Sequence, residues 1–133
     1  MQPDIEFFVD RCLGSVVVAS ALRLAGAKVH CLEPEFAADC EDEVWLNVVG
    51  GRGWVVLTKD DRLRTNLLEV SQIEANAIRV FTLPRGDWLA SEMATIAVAA
   101  LPTMLRIARH RPGPFVMRLS GQGGQPRELR RGR

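Results

Sequence analysis

The sequence predicts a single α/β domain with a mainly parallel central sheet, and three observations carry that prediction. Compact apolar runs of strand length alternate with longer stretches of helical pattern, in the order β-α-β-α-β-α-β-α. Glycine, proline and charged clusters mark the junctions between them. Acidic residues stand at the ends of strand candidates, where a parallel sheet presents its ligand-binding edge.

Taken in order, residues 5–9 form an apolar, partly β-branched run that ends at Asp10, as expected of a buried strand delivering a carboxylate at its C-terminal edge. Gly14 and Ser15 open a helix whose apolar face is Val16, Val17, Ala21, Leu22, Leu24 and Ala25, with Gly26 just past its end. Residues 28–32 are a second short strand, followed by a polar loop through Pro34. Glu41, Asp42 and Glu43 begin a helix near its positive N-terminus. Its apolar residues are Val44, Leu46, Val48 and Val49, and Gly50, Gly51 and Gly53 are expected to stop it. Residues 54–58 give the strongest strand, with Lys59, Asp60 and Asp61 at its end. A helix is expected over 67–75 and a strand over 78–83. A long helical region then covers 88–110, which Pro102 should kink or split. Residues 115–119 make a last edge strand. Residues 120–133, rich in Gly and Arg, read as a flexible tail, which sets the domain at 1–119.

Length and composition bound the function classes. At 133 residues and 47% hydrophobic content the chain builds one sizeable core and has no room for a second domain. Cys12, Cys31 and Cys40 are odd in number and lack a C-x-x-C spacing, which points away from a disulfide framework or a zinc site. The expected compartment is the reducing cytoplasm. No basic leader with an apolar run opens the sequence, and the most apolar stretch, near 96–101, is short of a bilayer span, so no membrane is expected. The net charge of +1 hides a polarity. Residues 1–61 hold 5 Lys or Arg against 11 Asp or Glu, whereas residues 62–133 hold 12 against 5. One half suits cations and the other polyanions, although two such halves also simply attract each other on folding.

The carboxylates supply the candidate chemistry. Asp10 ends the first strand, Asp60 and Asp61 end the third, and Asp42 with Glu43 starts the helix between. Converging carboxylates repel unless a cation compensates them, and oxygen-only ligands favour Mg²⁺ or Mn²⁺. Singly, each has a plainer reading: Asp10, Asp60 or Asp61 as a helix cap, Asp42 and Glu43 as favourable charges in a first turn. The combination is what points to a metal site.

FFVDRCLG at 7–14, CEDEVW at 40–45 and WVVLTKDDRL at 54–63 together resemble PIN-like domains, in particular the branch holding VapC-type toxins and Mut7-C-like proteins. That branch shows an apolar strand ending in Asp and followed by Leu-Gly, an acidic pair ahead of an apolar helix, and a strand ending Thr-[Lys/Arg]-Asp-x-x-[Leu/Phe]. The resemblance covers roughly residues 5–110. It implies a PIN-like three-layer α/β sandwich and a Mg²⁺-dependent endoribonuclease, often the toxin of a toxin-antitoxin pair with a cognate antitoxin, and it allows a homodimer. Carried over by position, Asp10, Asp42, Asp60 and Asp61 are the catalytic carboxylates, and the same four with Glu43 are the metal ligands. Asp87 stands near where such domains often place a further acid, but Arg85 and Gly86 beside it fit an ordinary turn equally well.

Other residues carry weaker signals. Lys59 and Thr58 flank the site as either phosphate-orienting groups or a solvated lysine and a strand-end hydroxyl. His30 and His110 lack a partner motif. The glycines of 121–124 lack the helix and Lys-Ser/Thr of a phosphate loop. Arg127, Arg130, Arg131 and Arg133 suit RNA phosphate or plain solubility. Trp45 and Trp54 read as core, and Trp88, after a turn, as a stacking surface for a base or partner. Two rival readings remain: a non-catalytic PIN-like module binding RNA or protein, and a signalling receiver. The receiver expects adjacent acids after its first strand, where Asp10 is followed by Arg11.

Overall fold

The computed structural model describes residues 5–10, 16–31, 42–59, 67–121 and 125–129. Its elements are β1 (Glu6–Val9), α1 (Val17–Leu24), β2 (Lys28–Cys31), α2 (Asp42–Arg52), β3 (Val55–Thr58), α3 (Leu67–Ala75), β4 (Arg79–Thr82), α4 (Ala90–His110), β5 (Phe115–Arg118) and β6 (Arg127–Glu128). Among the described residues the strands form one sheet in the order β2-β1-β3-β4-β5-β6. Neighbours are parallel except β5 and β6.

Both faces of this sheet are buried across β1, β3, β4 and β5, which is why those strands are largely apolar rather than alternating, whereas the outer β2 and β6 are not. Phe7, Val9, Val55, Leu57, Phe81, Phe115 and Met117 share one cluster with α1 and α4. Phe8, Val56, Val80 and Val116 share the other with Trp45, Leu46 and Val49 of α2 and Ile73 of α3. The result is the expected three-layer α/β sandwich. Truncating a fully buried ring such as Phe8, stacked on Trp45 at 5.1 Å, costs about 3–5 kcal/mol in comparable cores.

The chain steps one way along the sheet from β1 to β2 and the other way from β4 to β5, yet α1 and α4 cover the same face. These two crossovers therefore have opposite hand. The β2-to-β3 and β3-to-β4 crossovers share the hand of the first, so β4-α4-β5 is the one that departs from the usual right-handed rule. Coverage explains the choice: α1 has 8 residues and cannot shield this face alone. The 21 residues of α4, about 31 Å of helix, complete it.

Several expectations are corrected. Gly50 and Gly51 do not stop α2, which runs to Arg52. The stop is Gly53, at φ 73°, where Gly53 N–H donates to Gly50 O at 3.2 Å and Trp54 N–H to Val49 O at 3.2 Å, the paired bonds of a Schellman cap. Gly50 serves packing instead, because a Cβ there would fall 2.3 Å from Asn76 Cβ just beyond α3. Pro102 neither splits α4 nor ends it. It lies on the exposed face of an unbroken helix, where a carbonyl deprived of its partner can turn toward water. By length and composition α4 is apolar enough to cross a membrane, a longer stretch than residues 96–101 suggested. Here Met93, Ile96, Ala97, Leu101 and Met104 are buried against α1 and the sheet, as in a core helix.

β5 is not the edge strand, and part of the 120–133 segment is not a free tail. Arg127–Glu128 pair with β5, Leu129 is buried in the cluster beneath α2 and α3, and Arg111 bonds Glu128 at 2.7 Å. At the opposite end of the strands the Arg79 guanidinium donates to Ala108 O and Gly53 O, tying the last turn of α4 to the α2–β3 turn. Burial lowers the Arg79 pKa from its usual value.

The two neighbouring glycines of α2 give a paired test. Gly50→Ala should destabilise the protein by about 1–3 kcal/mol, because overpacking forces α2 and α3 apart. Gly51→Ala, which meets nothing within 4 Å, should stabilise it by up to about 1 kcal/mol through helix propensity. Urea unfolding of both variants checks the opposite signs.

Candidate active site at the carboxyl edge of the sheet

The strand order places β1 and β3 side by side, although the chain visits β2 between them. α1 leaves β1 over one face, and α2 arrives at β3 from the other. That reversal is a topological switch point, and the crevice outside the carboxyl ends of its strands is where open parallel sheets bind ligands.

Asp10 stands in this crevice. Its N–H donates to Leu57 O at 3.0 Å, which continues the β1–β3 ladder one residue past β1. Its side chain is only 7% exposed. Thr58 Oγ1, fully buried at the end of β3, donates to Asp10 Oδ2 at 3.0 Å. A buried carboxylate held this way is fixed in orientation, and a bond to a charged acceptor contributes about 1.5–3 kcal/mol.

The other predicted acids are placed unequally. α2 ends just before β3 begins, at the amino edge of the sheet, so its 11 residues, about 16 Å, run back from the carboxyl edge. Asp42 is its first residue and Glu43 its second, on the face toward which Phe8 and Asp10 point. Thus Asp10 and the acidic start of α2 share an edge and a side. Asp60 and Asp61 lie outside the described residues, directly after Lys59, which is exposed at the end of β3. Among the described residues no group of three or more His, Cys, Asp and Glu side chains forms a metal cluster.

The donor set nonetheless suits a hard cation. By residue type, Asp10, Asp42, Glu43, Asp60 and Asp61 would offer only oxygen donors, and Asp10 is a buried one. The nitrogen alternative on the adjacent strand is engaged elsewhere: His30 Nε2 pairs with Glu6 Oε1 at 2.8 Å, and its ring stacks on Trp54 at 3.8 Å. His110 is exposed at the end of α4. Asp87 is exposed in the β4–α4 loop. Trp45 and Trp54 are core residues. Trp88 is half-buried, and its Nε1 donates to Pro84 O at 2.7 Å while its ring packs against Gly86, so it staples the loop.

Two residues of this edge were not singled out from the sequence. Thr82 ends β4 in register with Thr58 and is fully buried, and Arg118 ends β5 in register with Thr82. The sequence hides them, because Thr82 and Arg118 are each followed by a buried leucine, Leu83 and Leu119, and so read as single polar residues inside apolar runs.

These features define a parallel α/β domain with a buried, hydrogen-bonded aspartate at its switch point and a helix that begins with Asp42 and Glu43 on the same side of the sheet. Residues 5–85 match the family described as PIN like domain, and the chain belongs to that family. It is 34% identical over 127 residues to the Mycobacterium tuberculosis protein named "Putative ribonuclease VapC45", across 87% of this chain and 91% of that one. No solved structure gives a significant match. A receiver shares the strand order but not this family match.

Thr58→Val keeps the side-chain shape but removes the donor to Asp10. It should destabilise the fold by about 1–3 kcal/mol, the cost of stranding a buried acceptor. A denaturation midpoint equal to wild type would show that this bond does not hold the carboxylate.

Proposed function

We propose that the protein is a divalent-metal-dependent endoribonuclease of the VapC type, the toxin of a toxin-antitoxin pair working in the cytoplasm. The observation that carries this reading is the Asp10 carboxylate, buried and fixed by Thr58 at the switch point of a PIN-like sheet. Its substrate is RNA and its protein partner a cognate antitoxin. A homodimer is compatible with the reading but is not needed for it.

In this reading Asp10, Asp42, Asp60 and Asp61, with Glu43, hold Mg²⁺ or Mn²⁺. The cation, when bound, acidifies water and offsets charge on the phosphoryl group. The chain's own residues do the rest. Asp10 presents a pre-oriented oxygen from a rigid strand end. Thr58 is a positioning residue, since its hydroxyl fixes which carboxylate oxygen turns inward. The positive end of α2 gathers acids that balance it electrostatically. Lys59, exposed beside the edge, offers a charge to the incoming polyanion.

Asp10→Asn and Asp60→Asn should each lower RNA cleavage on the order of 10³-fold or more, and the double variant should be scarcely worse, because groups acting as a unit lose function non-additively. Thr58→Val should cost about 10–100-fold, as expected for a residue orienting a ligand. Glu74→Gln, exposed near the end of α3, should cleave as wild type does. Cleavage of a mixed RNA pool by purified protein with Mn²⁺ and with chelator is the measurement. Near-wild-type cleavage by Asp10→Asn and Asp60→Asn would remove the mechanism. Mn²⁺ should also raise the melting temperature of wild type more than that of Asp10→Asn, because binding to the native state stabilises it by mass action.

A further inference from the structure

A surface helix normally turns charged residues to water, and the helices on one face of this sheet do so only at their ends. Among the described residues four large apolar side chains are exposed, and all belong to α1 or to the start of α4. Val16 and Val17 open α1, Leu24 at its end is 91% exposed, and Leu89 just before α4 is 68% exposed. The two helices pack side by side over the same sheet face. α4 extends the patch, since residues 93–105 carry no charge although Thr95, Ala99 and Pro102 are exposed. Single exposed apolar residues are ordinary, but an uncharged face shared by two packed helices marks an interaction surface.

The charges at the ends of α4 select its occupant. The outer line of the helix is Glu92, Thr95, Ala99, Pro102, Arg106 and Arg109, all exposed and spaced alternately three and four residues apart, as in helices that run along one another. Ala99 is the midpoint, with Glu92 seven residues before it and Arg106 seven after. Each charge is therefore about 10 Å from the midpoint along the axis. An acid and a base set evenly about a centre are complementary to the same pair turned by half a rotation. The helix dipole alone favours an acid at the start and bases at the end. It does not account for the uncharged turns between them, nor for Leu24 and Leu89 left in water. Glu92 is already held in place, because its Oε1 accepts from the Leu89 N–H at 2.8 Å. Among the described residues neither Arg106 nor Arg109 makes a hydrogen bond or ion pair.

We infer that the α1–α4 face binds a second copy of this chain, with the two α4 helices antiparallel and crossing at Ala99 on a two-fold axis. Small side chains at the crossing let the helix axes approach to about 8–10 Å. Glu92 of each copy then faces Arg106 of the other, and the aliphatic stem of Arg109 lies against Leu89 of the other copy. Val17 and Leu24 of α1 flank the crossing. Because α1 and α4 both start at the carboxyl edge, the rotation puts the two carboxyl edges at opposite ends of the pair, and each Asp10 crevice stays open. Pairing is independent of the chemistry at Asp10.

The test is the mass of the full chain in solution, by sedimentation equilibrium up to about 100 μM, a range that populates interfaces of modest area. Wild type should approach the mass of two chains. Ala99→Arg sets like charges together on the axis and should hold the protein at one chain throughout. Ala99 is exposed, so the circular dichroism of this variant should match wild type. Arg106→Glu and Glu92→Arg should each weaken association on the order of tenfold, because each sets like charges together at two symmetric places. The double variant Glu92→Arg/Arg106→Glu should recover wild-type affinity within about threefold, the non-additivity of residues in contact. Only a self-complementary surface is rescued by two reversals within one chain. A wild type that stays at one chain overturns the inference, including where its α1–α4 face instead binds phosphatidylcholine vesicles or a different protein. Pairing that persists in Ala99→Arg, or reversals that do not rescue each other, overturn it as well. Asp10→Asn should pair as wild type does while losing cleavage, so failure of the pairing and failure of the ribonuclease reading are told apart.

Discussion

A parallel sheet covered on both faces can carry polar side chains only where its strands end, and that constraint governs the arrangement of this molecule. The interior rows of β1, β3, β4 and β5 are given to Phe, Val, Leu and Met, because an unpaired polar group there would cost several kcal/mol of desolvation. The chemistry is therefore pressed into one line along the carboxyl edge. The far edge is used for structure, with Arg79 closing the end of α4 and half-buried in doing so.

Within that line the Asp10–Thr58 bond sets the geometry. Asp10 is the buried acid among the described residues, and its burial is tolerable because it sits at the rim and is hydrogen-bonded. An exposed carboxylate would be better solvated but free to rotate. Holding it beneath the surface trades solvation for orientation, which a cation with oxygen ligands rewards. The switch point makes this economical. Strand order alone brings Asp10 beside Thr58 across 48 residues of chain, with no dedicated loop.

Much of this was legible in the sequence because the burial of both sheet faces leaves a blunt pattern. The runs ending at Asp10 and Thr58 were read within a residue of β1 and β3, and α3 at its observed bounds. What escaped depended on tertiary contact. Gly50 reads as a helix stop until Asn76 is seen against it, and Pro102 reads as a break until it is seen on the solvent side. The Gly/Arg composition after residue 119 concealed β6, since a two-residue strand has no periodicity and is fixed by Leu129 and Glu128. For the site, Asp10 and the α2 start were found as acids at element ends. Thr58 was weighed as an ordinary strand-end hydroxyl, and Thr82 and Arg118 passed unnoticed, because their meaning lies in cross-strand register.

The two ends of that register differ in what they ask of the fold. At Asp10 the fold supplies the carboxyl group with a hydroxyl donor from the neighbouring strand, so its orientation is set by the sheet itself. At the other end Arg118 is half-buried and stands opposite the exposed Arg127, on a strand pair secured by Leu129 in the core and by the Arg111–Glu128 bond. Residues of the acidic and basic halves of the chain thus occupy opposite ends of one register line, because the parallel order of β1, β3, β4 and β5 carries the same row across the whole sheet.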